Sequence, residues 1–389
     1  TCALGSTAAL APSPADAALR SWSAVVDPVL SDDGYIAARV VADGRMWSLE
    51  LGDTAEALLQ SRSLRTGRLL SSVPVTIPML PGSAGLGGGE DYDNAPGPTL
   101  VVAGGHAAAV GTWCASFNEG ERGGGDGCEG PRGFFTAFST RSGRMLRGGL
   151  TDEPRRLVAG DRPAEVVQRP GASTVLRDIV TRRTLMTVPR RARSILGAGR
   201  YVAWDTYDGP GRSTRTHVRR RGATRDRYVL PHARLERAIG GRDEPIVQEA
   251  SVTADGSVDL VVSVASERAH AVAVDRRGRV RRLPVSLSLT SGFETRQRGD
   301  RLLVSLSSID GRCRRSSSWI TDLRGRTGNP MTRVPVTRGR RLADTPDFFP
   351  GGALSWVEEP RRDIVASERI RVLPDVHDLP LTRAGRPGC

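Results

Sequence analysis

The chain predicts an all-β fold, and three observations carry that expectation. Across its 389 residues, short apolar strands alternate with turns almost without interruption. A hairpin turn rich in Arg and Gly recurs at 65–68 (RTGR), 141–144 (RSGR), 181–184 (TRRT), 220–223 (RRGA), 276–279 (RRGR) and 323–326 (LRGR). Upstream of it, apolar strands close on Trp at 110–113 (VGTW), 201–204 (YVAW) and 353–356 (ALSW). Strand-only units repeated every 40 to 50 residues or so are the signature of propeller blades. The expected architecture is therefore a single β-propeller of four-stranded antiparallel blades.

The register is set by the turns. With Gly67, Gly143, Arg183, Gly222, Gly278, Gly325 and Glu368 as markers, the steps are 76, 40, 39, 56, 47 and 43 residues. The long first step contains a Gly/Pro-rich insert at 81–98, and the last marker belongs to a degenerate turn near 367–369. The blades then fall near 35–76, 99–150, 156–189, 194–231, 246–286, 293–336 and 342–378. Seven is the count the spacing gives; six and eight are also compatible with it. Each Trp-ended strand is the second strand of its blade, where a large rigid ring fills the gap between neighbouring sheets. Each Arg-rich turn joins the third strand to the fourth. The seventh blade lacks a last strand, and 22–30 (WSAVVDPVL) is expected to supply it, which removes the exposed edge of an open ring. The only helical candidate is the short run 53–59, and the chain ends in a tail at 374–389.

Composition narrows the function classes. All 56 basic residues are Arg, so a Walker-type phosphate loop, a Schiff-base lysine and a Ser-Lys dyad are excluded together. A net charge of +13 raises nucleic acid as a partner, but the arginines fall at turns along the whole chain. No aromatic-studded stretch lies among them to stack bases, so no nucleic-acid partner is expected. Acidic envelope polymers or lipid head groups fit the charge better, with a salt-sensitive attraction. No run of apolar residues is long enough to cross a membrane as a helix. The excess of Arg, Ala, Gly and Pro without Lys reads as the coding bias of a high-G+C bacterium.

Residues 1–17 read as the end of a secretory signal: a small apolar stretch, a break at 12–14 (PSP), and an A-x-A site at 15–17. A disordered Ala/Pro-rich tail is the other reading. With export, the four cysteines beyond that segment, Cys114, Cys128, Cys313 and Cys389, are expected in disulfides. Cys114 and Cys128 bracket one hairpin loop, so Cys114–Cys128 is the expected bridge. By elimination Cys313 pairs with Cys389.

The search for chemistry is mostly negative. The five histidines, His106, His217, His232, His270 and His377, form no short zinc pattern, and there is no C-x-x-C or G-x-S-x-G. The run 85–89 (GLGGG) imitates a phosphate cradle, but residues 90–97 (EDYDNAPG) continue it as an acidic, Pro-broken stretch rather than a helix. Within that stretch Glu90, Asp91, Asp93 and Asn94 offer hard oxygen donors for calcium, although Ala95 stands where a further ligand is needed and a polar loop tip is the simpler reading. No other cofactor is suggested. Carboxylate pairs for glycoside chemistry can be drawn from Glu90, Asp91, Asp347, Glu358 and Glu359, as from any chain of this length.

The blade rhythm, the xTGR hairpins and the YVAW strand resemble the TolB-like and WD-type secreted propellers of bacteria. The histidine and Trp-Asp signatures of true WD repeats are not in register, and Trp204-Asp205 lies at the wrong strand end. The resemblance implies the fold and little else, because propellers carry enzymes, receptors and scaffolds on one frame. The expected function is an exported or envelope-associated, monomeric, non-enzymatic scaffold for a protein or acidic envelope polymer. The alternative is a propeller hydrolase or lyase with acidic residues at the channel mouth.

Overall fold

A computed structural model describes residues 21–25, 35–51, 56–82, 85–87, 98–118, 127–152, 155–167, 173–189, 192–207, 213–240, 245–264, 268–288, 293–306, 317–323, 331–343, 345–349, 351–360, 369–379 and 381. They form a seven-bladed propeller of antiparallel sheets. Blade one is Tyr35–Ala42, Arg45–Leu51, Glu56–Ser63 and Leu69–Thr76, paired in chain order. Blades three to six repeat that order, from Arg156–Val158 to Met331–Arg333. Blade seven runs from Arg340–Leu342 through Leu354–Pro360 to Arg369–Leu373. Its outermost strand is Trp22–Val25, antiparallel to Arg369–Leu373 with Trp22 opposite Val372. The closure expected from the sequence is present.

Burial explains why the strands alternate in character. Second strands are sandwiched between neighbouring sheets, so they are apolar on both faces: His106–Cys114 is buried from Ala107 onward. Outer strands have one wet face, and Leu69–Thr76 alternates accordingly at its far end. Among the described residues there is no single central core. Buried side chains instead form one cluster per seam. Trp47, Leu59, Trp113 and Phe134 join blades one and two, while Met186, Val202 and Trp204 join three and four. Leu303, Leu354 and Trp356 join six and seven, and Met46, Phe349, Ile370 and Val372 close seven onto one. The three Trp-ended strands thus place their rings in seams, as expected.

The recurrent Gly has a double cause. In blade one, Gly67 has φ 69° and its N–H donates to Ser63 O at 2.9 Å; in blade two, Gly143 has φ 67° and donates to Ser139 O at 2.9 Å. A Cβ at Gly67 would lie 2.6 Å from the Trp22 ring, and one at Gly143 would lie 2.3 Å from Pro74 O. Each of these turns therefore presses on the outer strand of the preceding blade. In blade three the equivalent residue is Arg182, with φ 62° and its N–H on Asp178 O, and not Arg183. The marker moves by one position.

Other sequence expectations also change. Residues 56–59 of the helical candidate 53–59 are the start of the strand Glu56–Ser63; the rest lies outside the described residues. Among the described residues one α-helix, α1 (His232–Ile239), connects blades four and five, and buries Leu235 and Ile239 against them. Part of the Gly-rich insert is a strand, Gly85–Gly87. Of the segment 367–369 only Arg369 is described; it opens the third strand of blade seven, Arg369–Leu373, and does not follow it as a third-to-fourth turn would.

Candidate binding faces

In an antiparallel four-stranded blade, the second-to-third and blade-to-blade connections leave on one face. The first-to-second and third-to-fourth turns leave on the other. The first face carries the additions to the ring. Blade two's second strand pairs with Thr99–Ala103 along one half and with Gly85–Gly87 along the other, where Gly85 faces Cys114. Beyond it, Ser116–Asn118 and Gly127–Glu129 form a further hairpin in which Cys128 faces Phe117. Trp113 anchors this corner, its indole N–H donating to Pro78 O at 2.8 Å and its ring 5.8 Å from Phe134. Helix α1 lies on the same face. So does the connection 333–342 between blades six and seven, which folds over a cavity of about 340 Å³ walled by Arg338, Arg340 and Arg341 among others. Burial there lowers the pKa of Arg340, Arg369 lowers it further, and the guanidinium donates to Glu358 O at 3.0 Å.

The expected site residues fare unequally. Glu90, Asp91, Asp93 and Asn94 lie outside the described residues, as do Cys313 and Cys389. Cys114 is completely buried, and its sulfur is engaged with a partner. Of the carboxylates, Asp347 stands on the inner edge of blade seven, 2.7 Å from Arg39 of blade one and 3.3 Å from Arg296 of blade six. It ties three blades together at the channel. Glu358 is fully buried and accepts from Thr337 N and Trp356 Nε1, with Arg371 at 3.8 Å. Glu359 pairs with Arg341 at 2.5 Å. The structure does not bring these three together as an acid–base pair.

The histidines are separate too. His217 stacks on Trp204 at 5.3 Å and meets Asp226 at 2.9 Å. His232 Nε2 lies 3.1 Å from Thr216 Oγ1, which donates to Asp205 at 2.7 Å. This hydroxyl, imidazole and carboxylate imitate a hydrolytic triad. A hydroxyl has one proton, however, and Thr216 gives it to Asp205, so the imidazole N–H must donate to Thr216 and is no base toward it. All three residues are buried, and burial raises the Asp205 pKa. The network is structural. His377, on the other face, is clasped between Asp300 at 2.8 Å and Asp375 at 2.7 Å, and the Asp300 bond holds its pKa up. Among the described residues no group of three or more His, Cys, Asp or Glu could hold a metal, and no helix is long and apolar enough to cross a membrane.

Sequence reasoning missed the gathering of arginines. One by one they look scattered, yet those of the recurrent Arg/Gly turns mark the same connection in successive blades and therefore one face. A polar side chain stabilises the turns of blades one, three and five: Ser63 Oγ accepts from Thr66 N, Asp178 Oδ1 from Val180 and Thr181 N, and Asp275 Oδ1 from Arg277 and Arg279 N. The backbone N–H of Arg279, then that of Arg277, draws the Asp275 pKa down to about 2. The signal was available: assigning every RxGR motif to one connection type fixes its side of the ring.

No family model matches the chain, and no curated protein matches it. Solved structures do. An uncharacterized protein, lmo1340, from Listeria monocytogenes EGD-e aligns over 84% of this chain and 89% of its own at 8% identity, with TM-score 0.45. The β-propeller domain of Cps50 (Swd1) from Myceliophteria thermophila aligns over 87% and 98% at 10% identity, TM-score 0.42. The acylaminoacyl peptidase of Pyrococcus horikoshii aligns over 85% of this chain but 51% of its own, at 11% identity and TM-score 0.43.

Proposed function

We propose that the chain is an exported, non-enzymatic propeller that holds a partner protein on the face bearing the 81–98 insert and the 114–128 hairpin. One observation carries the reading: at blade two the second strand outruns its own inner strand, and an added strand and a hairpin continue it beyond the ring. Such extensions on a rigid frame are where recognition residues collect. Asp347, Glu358 and Glu359, three of the carboxylates considered for catalysis, are instead engaged in ion pairs between or within blades. Replacing 116–129 by a short turn tests the reading. Capture from the envelope of the source cell, at low and high salt, should lose the partner that the unaltered chain retains; unchanged capture overturns the proposal.

Export is part of the proposal, supported by the A-x-A segment at 15–17 and the engaged sulfur of Cys114. Cell fractionation and amino-terminal sequencing of the mature chain test it, with a start at residue 18 expected. The bridges Cys114–Cys128 and Cys313–Cys389 belong to the same reading. Closing the first loop, about 15 residues, is worth roughly 3 kcal/mol in a chain-entropy model. Non-reduced peptide mapping decides: a Cys114–Cys313 link or unpaired thiols overturn it.

A further inference from the structure

The face opposite the insert and hairpin has its own chemistry, independent of any partner protein. At the tips of their third-to-fourth turns, blades one, two and three lift Arg65 and Arg68, Arg141 and Arg144, Arg182 and Arg183, all exposed. Among the described residues none of the six has an ion-pair partner. The carboxylate in this set of turns, Asp178, is turned inward and accepts from the backbone N–H groups of Val180 and Thr181, with Arg162 at 3.5 Å. Immediately after these arginines stand Leu69 and Leu70, 42% and 38% exposed, and Met145, 39% exposed. Only Leu150 joins them as a large apolar side chain left exposed on the described surface.

We propose that this sector of the ring docks on an anionic lipid bilayer. Its guanidinium groups meet headgroup phosphates, and Leu69, Leu70 and Met145 reach the boundary between headgroups and acyl chains. Guanidinium suits phosphate because its planar donors can bind two oxygens at once. A soluble polyanion would use the charge but gives no role to apolar side chains placed beside it; a bilayer interface uses both. The three adjacent blades present the two kinds of group on one side of a rigid ring.

Flotation of the whole chain with vesicles tests this, using phosphatidylcholine alone and phosphatidylcholine mixed with phosphatidylglycerol, at low and raised salt. Binding should require the anionic lipid and fade with salt. Each cation near such a surface contributes about fivefold to partition, so Arg65→Gln/Arg68→Gln should lower it about 25-fold. Arg234→Gln/Arg237→Gln removes the same charge from α1 on the other face and should lower it less than about threefold, since surface attraction fades within a Debye length. Leu69→Ser/Leu70→Ser should weaken binding and leave its salt dependence unchanged. Equal losses from the two arginine pairs would overturn the proposal, because net charge alone would then explain binding. So would a failure to float with anionic vesicles, or retention on polyphosphate that those vesicles do not displace.

Discussion

The seam between blades three and four and the seam between seven and one are fastened by different chemistry. At the first, a single charged side chain is driven into the neighbouring turn: Arg221 donates to Asp161 at 2.9 Å and to the carbonyls of Ala159 and Arg162, each at 3.0 Å. Its guanidinium side chain is only 6% exposed, and burial lowers its pKa although Asp161 opposes that. At the second, an aromatic ring is the fastener. Trp22 lies against Gly67, and its indole N–H reaches Leu64 O at 2.8 Å. Inside blade seven, Arg371 adds a bond to Ser21 at 3.1 Å, beside the pairing of Trp22–Val25 with Arg369–Leu373. The three–four seam adds the directional lock of Arg221 to its apolar cluster of Met186, Val202 and Trp204. At the closing seam Trp22 and Leu64 are only 42 positions apart; the long-range step is the pairing of Trp22–Val25 with Arg369–Leu373 inside blade seven, and apolar burial fastens that blade onto blade one.

That contrast can be broken most severely at the closing seam. Removing residues 18–30 exposes the edge of blade seven and should abolish cooperative melting near the wild-type temperature; a truncated chain that melts like the full one would refute closure by this strand. Trp22→Ala, which keeps the strand and loses the ring, should cost about 2 to 3 kcal/mol, read by denaturant unfolding. Arg221→Ala comes next. It leaves two carbonyls and a carboxylate of blade three without their donor, and should cost about 2 kcal/mol.

Arg182→Gly has the opposite sign. Arg182 holds the left-handed conformation that Gly67 and Gly143 hold elsewhere, so glycine there should stabilise the protein by about 0.5 to 1 kcal/mol. Gly143→Ala should instead destabilise it, because the new Cβ meets Pro74 O. The smallest effect belongs to His377, which bridges blade six at Asp300 and blade seven at Asp375. Its folded pKa is raised, so its contribution is complete below the unfolded value of about 6.5 and is lost as pH rises through the folded one. The side chain is 45% exposed, which keeps the effect below about 1 kcal/mol. His377→Gln should flatten the stability profile across that window; an unaltered profile would remove the clasp.

Much of this architecture is legible in the sequence because periodicity and sterics act locally. Gly at a left-handed turn and Trp at a strand end each mark a fixed place in a blade, and their spacing counts the blades. What escaped depends on partners distant in sequence. Gly85–Gly87 is too Gly-rich to read as a strand and becomes one through the backbone of residues 112–114. Helix α1 begins after Pro231 without a side-chain cap and gains its stability from Leu235 and Ile239 packing on two blades. Arg182 breaks the Gly rule, so its turn could be found but not aligned to the residue. Charges at 65–68 and 276–279 are far apart along the chain, and only the alternation of connections puts them on one side.

The shared sheet of blade seven also imposes a schedule on synthesis. Ser21 and Arg371, which bond across it, lie 350 positions apart. At roughly 5 to 20 residues per second, the early strand waits about 20 to 70 s for its mate to be made. Throughout that interval the half-finished ring has two unsatisfied edges. A chaperone, or passage through a translocation channel in an extended form, would have its longest task at the first strand and its shortest at the last.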